Sequence, residues 1–65
     1  MPLPPDPDAI RAKRDSAGLT QADAATLVHA NDRFWRYWES GTHRMPPGLW
    51  ELFCLKVDQM LEART

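Results

Sequence analysis

Cysteine and glycine are scarce in this chain of 65 residues, which has one cysteine and three glycines. A single cysteine excludes an internal disulfide and a cysteine framework for zinc, so the sequence predicts a protein of a reducing, intracellular compartment. Cys54 lies inside an apolar run and is interpreted as a small packed hydrophobe rather than as a reactive thiol.

Long apolar segments are also missing. The first eight residues lack the basic region and the apolar stretch that mark a signal peptide, and no uninterrupted apolar span is long enough to cross a bilayer. The sequence therefore predicts a soluble, cytoplasmic protein.

Patterns of catalysis and metal binding are equally scarce. The two histidines, His29 and His43, have no acidic residue or cysteine at the spacing of metal ligands. The chain contains no Gly-rich phosphate loop, no nucleophile elbow and no paired helical carboxylates. We predict neither an enzyme nor a metal or cofactor site, and we expect no small-molecule ligand because so short a chain has no room for an effector module.

The material that is present suits one small helical domain. Hydrophobic residues make up 43% of the chain and include three tryptophans, although a domain of this size buries only about 60% of its unfolded surface. The net charge of -1 argues against a protein that coats nucleic acids through positive charge alone. Residues 11–44 are nevertheless basic, with six basic and four acidic residues and a net charge of +2.

Capping residues divide the chain into helices. Residues 1–6 are rich in proline and predict an extended arm, followed by a single domain over residues 7–65. Asp6 is the expected N-cap of a first helix from Pro7 to about Ala17, which Gly18 ends.

The other helices begin at similar signals. Thr20 and Asn31 are the expected N-caps of a second helix over residues 21–28 and a third over residues 32–40. A loop over residues 42–45 precedes a last helix over residues 47–63, with a break or kink expected near Gly48. These elements predict an all-α fold, a compact bundle of four to five helices. Two short helices joined by about three residues are typical of a DNA-binding helix-turn-helix.

Specific residues strengthen this interpretation. Gly18-Leu-Thr-Gln21, Ala24-Ala25, Val28, Trp35, Trp38-Glu39 and Gly41 resemble the pattern of the lambda repressor and Cro (XRE-type) helix-turn-helix family. Arg44-Met-Pro-Pro47 and Leu49-Trp50-Glu51-Leu52-Phe53 resemble a short phage and proteobacterial subgroup that includes anti-CRISPR-associated repressors. The resemblance covers about residues 11–56. It implies a lambda repressor-like DNA-binding domain in a bacterial or phage-infected cell.

The helical wheel of the third helix separates a core side from an outward side. Trp35, Trp38 and Glu39 share one side and are expected to face the core. Arg33 and Tyr37 lie almost opposite, Phe34 and Arg36 flank them, and Asp32 is closer to the core edge. Arginine can bond guanine in the major groove, and phenylalanine can contact a thymine methyl group. We predict base reading by Asp32, Arg33, Phe34, Arg36 and Tyr37, the alternative being a merely solvated helix face.

A further set of residues is expected to bind DNA phosphates. In the family, the glutamine that opens the second helix binds a phosphate, and Gln21 occupies that position here. Other predicted phosphate contacts, each of which is alternatively an ordinary surface residue, are Arg11, Asn31, Thr42, His43 and Arg44. Two features depart from the family pattern: His29 stands where a glycine with positive φ is usual, and the loop after Gly41 is about one residue longer.

Two contacts are expected from the pattern of the first and last helices: an ion pair inside the domain and a contact between two copies of the chain. Arg14 lies on the inward stripe of the first helix and is predicted to form a buried ion pair with Glu39. The last helix has two apolar stripes, one of Leu49, Leu52, Phe53 and Met60, and another of Trp50, Cys54, Val57 and Leu61. We predict that the first stripe covers the core and that the second forms a two-fold homodimer, the alternative being that both pack internally.

The sequence therefore predicts a transcriptional regulator that binds an inverted-repeat operator in double-stranded DNA. A repressor of its own operon, acting by covering a promoter, is the leading hypothesis. The alternatives are a protein-interaction module that has kept the fold without DNA binding and an antitoxin that also neutralises a partner.

Overall fold

The computed structural model describes residues 5–63, so residues 1–4 of the predicted arm and residues 64–65 lie outside the described part. Within that part the chain forms four helices and no strand: α1 (Pro7–Ser16), α2 (Gln21–Leu27), α3 (Asp32–Ser40) and α4 (Pro47–Ala63). This confirms an all-α bundle with four helices rather than five. None of these helices combines the length and apolar character that crossing a membrane requires.

The predicted caps are in place. The side chain of Asp6 accepts a hydrogen bond from the backbone N–H of Ala9 at 3.0 Å, and the side chain of Thr20 accepts one from Asp23 at 3.1 Å. The side chain of Asn31 accepts one from the N–H of Arg33 at 2.8 Å. Each bond satisfies a donor that the first turn of a helix leaves unpaired, so local sequence defines where these helices begin.

The connection between α2 and α3 is short and contains a residue in the left-handed region. His29 has φ of 60°, as its position in the turn predicts. The N–H of Ala30 bonds back to the carbonyl of Ala25 at 2.8 Å, which reverses the chain direction directly after α2. As a result α2 packs mainly against α3, and α1 also contacts α3.

The core lies where the four helices meet. Its largest wholly buried side chains are Trp35, Phe53, Ile10, Met45 and Val57. The rings of Trp35 and Phe53 have centroids 4.8 Å apart, which joins α3 directly to α4. Small residues of α2, Ala24 and Ala25, are wholly buried and let that helix approach closely.

The predicted division of α4 into two stripes is wrong at Val57. This residue is 0% exposed and belongs to the core, so it offers no surface to a second copy. Trp50 and Leu61, from the same predicted stripe, also pack partly against the core. The reason is geometric: Phe53 and Val57 are four residues apart and share the buried face of α4 although the stripes separated them.

The helix also continues through Gly48, where a break was expected, because Gly48 lies in its first turn.

Candidate nucleic-acid interface

The carboxylate of Glu39 anchors α3 to the rest of the domain. It accepts two hydrogen bonds from the guanidinium of Arg14, at 2.6 Å from Nε and 3.0 Å from the second terminal nitrogen. It also accepts the indole N–H of Trp35, and the side-chain amide of Gln21 lies at 3.3 Å. The predicted ion pair between Arg14 and Glu39 is thus confirmed, and it joins α1, α2 and α3.

This cluster keeps both partners charged. Burial alone would raise the pKa of Glu39, but hydrogen bonds from Arg14, Trp35 and Gln21 outweigh that effect and leave the pKa below its usual value. The hydrogen bond to Glu39 likewise raises the pKa of Arg14. An ionised carboxylate with several donors holds its neighbours in one geometry, so the orientation of α3 is fixed from inside.

The outward face of α3 carries the side chains that were predicted to read bases. Asp32, Arg33 and Arg36 are exposed, and Phe34 is 51% exposed. Trp35, Trp38 and Glu39 on the opposite side are buried, as predicted. The face therefore presents two guanidinium groups and an aromatic ring to the outside from a helix whose back is immobilised.

Tyr37 is less accessible than its wheel position predicted. It is half-buried, because the chain after α3 folds back onto it. The centroid of its ring lies 5.0 Å from that of the His43 ring and 6.1 Å from that of the Phe34 ring, and both pairs of rings are T-shaped. The backbone carbonyl of Tyr37 accepts a hydrogen bond from the backbone N–H of His43 at 3.3 Å. A helical wheel has no information about the loop that follows, so it overestimated the exposure of this residue.

The predicted phosphate-binding residues fall into two groups. Thr42, His43 and Arg44 are exposed in the loop that folds back next to Tyr37. The hydroxyl of Thr42 lies 2.8 Å from that of Ser40, which ties this loop to the end of α3. Arg44 and Phe34 line the same groove, so the loop brings a cation to that side of α3.

Arg11 and Gln21 form the second group, at the Glu39 cluster. The Nε atom of Arg11 lies 3.7 Å from the Glu39 carboxylate, and a terminal nitrogen lies 3.9 Å from Asp8. The Arg11 side chain remains 53% exposed. The amide nitrogen of Gln21 has two hydrogens, so its bond to Glu39 leaves a second donor. Asn31 is exposed, but its side-chain oxygen is used as the cap of α3.

Sequence reasoning missed one surface feature entirely and found only two residues, Trp50 and Cys54, of another. The first is a groove of about 560 Å³ lined mainly by apolar side chains; the residues of this groove are Val28, His29, Ala30, Asn31, Phe34, Trp38, His43, Arg44, Pro46 and Leu49. It is assembled from three separate segments, so no local pattern indicates it. The second is a surface on the outside of α4, named here the α4 patch and made of Pro47, Trp50, Glu51, Cys54, Leu55 and Asp58.

The α4 patch centres on Leu55, which is 56% exposed and was absent from both predicted stripes. Cys54 beside it is half-buried, and burial raises the pKa of its thiol. Spacings of three and four residues place the patch residues on one face of the helix, which is the signal that could have found them.

Across residues 5–63, no three His, Cys, Asp or Glu side chains are grouped so that they could hold a metal ion. The comparison with protein-family models and the comparison with curated proteins find no match for this chain.

Proposed function

We propose that this protein is a sequence-specific transcriptional regulator that binds double-stranded DNA through a helix-turn-helix formed by α2 and α3. In this proposal α3 lies in the major groove and reads bases, and the loop after α3 holds the DNA backbone. The protein acts as a repressor by covering a promoter operator, including that of its own operon, in the cytoplasm of a bacterial or phage-infected cell.

The outward face of α3 is the observation that carries the proposal. Arg33 and Arg36 are exposed next to Phe34, on a helix whose opposite side is locked by buried tryptophans and Glu39. Arginine bonds the two major-groove acceptors of guanine, and an aromatic ring packs on a thymine methyl group. A single exposed aromatic ring is common on a solvated face, so the two arginines beside Phe34 are what favour DNA as the partner.

The cations around α3 lie where they would hold the protein on the DNA backbone. Arg44 lies in the loop beside α3, and Arg11 lies beside Gln21 on the Glu39 cluster. Contacts to phosphates fix the register of a protein on DNA without reading sequence, so these residues would set affinity rather than specificity.

The test is fluorescence anisotropy of the purified protein with a labelled duplex from upstream of its own gene and with a scrambled duplex. We expect Arg33→Ala to weaken operator binding by about 1–3 kcal/mol and to relax preference at one base position. Arg44→Ala should weaken both duplexes and lower the slope of log affinity against log salt by about one.

Lys13→Ala is the matched control, since it removes the same charge from the α1 residue that pairs with Asp58 of α4 at 2.9 Å. It should bind the operator nearly as tightly as the parent. Equal losses on both duplexes for Arg33→Ala would remove Arg33 from the reading role. No difference between operator and scrambled DNA for the parent would favour the protein-interaction alternative.

We further propose that two copies bind an inverted repeat and meet through their α4 patches. Leu55 and Cys54 supply apolar area there in place of the buried Val57. A two-fold contact of this kind is weak alone, because an antiparallel pairing centred between Cys54 and Leu55 sets Glu51 of one copy opposite Asp58 of the other, and these like charges repel. DNA with two half-sites about 10–10.5 bp apart, or a multiple of it, would hold the copies together.

Cys54 is the sole cysteine, so a bismaleimide reagent tests this arrangement directly. Operator with two half-sites should increase the yield of Cys54-linked dimer several-fold over operator with one half-site. The same yield on both duplexes would contradict the two-fold contact while leaving DNA binding intact.

A further inference from the structure

Two large hydrophobic side chains stand out on the described surface. Phe34 is 51% exposed and Leu55 is 56% exposed, and these are the large hydrophobic residues that residues 5–63 leave most open. They lie on different helices: Phe34 lines the groove, and Leu55 is the centre of the α4 patch. A single exposed apolar side chain is common, but each of these two lies among further apolar side chains, and contiguous apolar surface marks interaction sites.

The groove has a positive rim, because Arg44 is the one charged side chain among the described residues that line it. Its apolar lining comes from side chains such as Trp38 and Leu49, and His43 and His29 also lie on its rim. None of the described residues that line it is acidic. A complementary surface therefore has an apolar centre and negative charge around it.

The α4 patch has that composition. Leu55 and Trp50 supply the apolar part, and Glu51 and Asp58 are the charged residues among those that line the patch. Glu51 is exposed, while Asp58 forms a salt bridge with Lys13. An acidic rim suits the positive rim of the groove better than it suits a second acidic rim.

We propose that the α4 patch of one copy docks into the groove of another, so that the chain self-associates head to tail when it is not bound to DNA. Leu55 enters the groove beside Phe34, and Glu51 approaches Arg44 of the next copy. The two surfaces are different, so after the first contact one copy still has a free groove and the other still has a free α4 patch. Such a contact is heterologous and extends into a chain or closes into a ring.

The contact also regulates the molecule. It covers Phe34, His43 and Arg44, which are part of the proposed DNA-binding face; this consequence rests on the proposed function, whereas the self-association does not. Operator DNA and a second copy then compete for the same surface. DNA would release the α4 patch, which becomes available for the two-fold contact on an inverted repeat.

The contact is expected to be weak, since one small groove buries much less than the about 1,200 Å² of a stable interface. Sedimentation velocity of the full chain from about 10 µM to 1 mM is therefore the first measurement. The weight-average mass should rise continuously above the 7.5 kDa of one chain. Phe34→Ser and Leu55→Ser should each weaken this association at least tenfold, and both changes are at exposed positions, so circular dichroism should be unchanged.

Mixing the two variants distinguishes a head-to-tail contact from a two-fold one. Phe34→Ser retains its α4 patch and Leu55→Ser retains its groove, so an equimolar mixture should form a one-to-one complex that neither variant forms with itself. The charge variants Arg44→Glu and Glu51→Arg should behave in the same way, each weak alone and restored by mixing.

A parent that stays monomeric at 1 mM overturns the proposal. So does a mixture of Phe34→Ser and Leu55→Ser that remains monomeric while the parent associates. A Phe34→Ser variant that associates as strongly as the parent also overturns it, since that result indicates a two-fold contact between α4 patches, which do not contain Phe34. The DNA experiment is separate and uses a duplex with one half-site, on which the two-fold contact plays no part. If association follows these rules but Leu55→Ser binds this duplex no better than the parent at high protein concentration, self-association stands and the proposed competition fails. Loss of all DNA binding in the parent would instead contradict the proposed function.

Discussion

Replacing Glu39 with alanine should destabilise the domain more than any other single change to a charged residue in the described part of the chain. Glu39 is 4% exposed and accepts hydrogen bonds from the Arg14 guanidinium, from the Trp35 indole and from the Gln21 amide. The Arg14 side chain is 16% exposed. In the alanine variant its guanidinium keeps one hydrogen bond to the backbone within the described part of the chain, to the carbonyl of Leu19.

The magnitude follows from the charge that is left behind. Removing one partner of a buried ion pair costs about 3–5 kcal/mol, because the other charge stays buried and loses its main acceptor. Arg14 would keep only the Leu19 carbonyl and the exposed Asp15 carboxylate among its described acceptors. A domain of 65 residues has a total stability of only about 3–10 kcal/mol. The variant should therefore lose much of its stability, and it should unfold without denaturant if the parent lies near the lower end of that range.

Urea titration followed by circular dichroism measures the effect. With an m value of about 1 kcal/mol per molar urea, a value at the low end for small proteins, the midpoint should fall by about 3 M or more. Asp15→Ala is the matched control, since Asp15 also lies near Arg14, at 3.5 Å, but its side chain is 65% exposed. The control should change stability by no more than about 0.5 kcal/mol.

Equal midpoints for the parent and Glu39→Ala would refute the reasoning. That result would mean that Arg14 finds water or another acceptor at no loss, so that the ion pair does not hold α1 against α3. Restoration by Arg14→Met in the Glu39→Ala background would support it, because the stranded charge is then removed as well.

The other expectations concern pH, a thiol and the backbone. The pKa of Glu39 is below its usual value in the folded state, so its contribution to stability is complete above about pH 4.3 and is lost as the pH falls through the lowered folded-state pKa. The free energies of unfolding of the parent and of Glu39→Gln, measured by urea titration, should therefore become equal only at pH values below that folded-state pKa. Burial raises the pKa of Cys54, so a disulfide reagent should label it several-fold more slowly at pH 8 in the folded chain than in urea, and equal rates would contradict its partial burial. Gly41 has φ of 84°, so Gly41→Ala should lower the free energy of unfolding in thermal melts by about 1–2 kcal/mol. His29 has φ of 60°, so His29→Gly should leave the free energy of unfolding unchanged or raise it by up to about 1 kcal/mol. A stabilising Gly41→Ala and a destabilising His29→Gly would be inconsistent with backbone strain at His29.

The helix boundaries could be predicted because their causes are local. Asp6, Thr20 and Asn31 each bond to an N–H two or three residues later, and such bonds depend only on the nearby sequence. The pair of Arg14 and Glu39 was also predictable, since two inward charges on neighbouring helices need each other. These features define where α1, α2 and α3 begin and how α3 is oriented.

The rest depends on tertiary packing. Val57 was assigned to the surface because apolar spacing on α4 fits two stripes equally well, and only the positions of the other helices decide which residues are buried. Tyr37 is half-buried because a loop folds onto it, and the groove exists only where that loop meets α3 and α4. No pattern within a single helix contains this information.

Selection of binding sites from a pool of random double-stranded DNA tests the central claim most directly. The parent protein should enrich a defined motif, with guanine at a position that Arg33→Ala no longer selects and with the motif repeated in inverted orientation. Recovery of DNA without an enriched motif, from a parent that is folded by circular dichroism, would contradict the account.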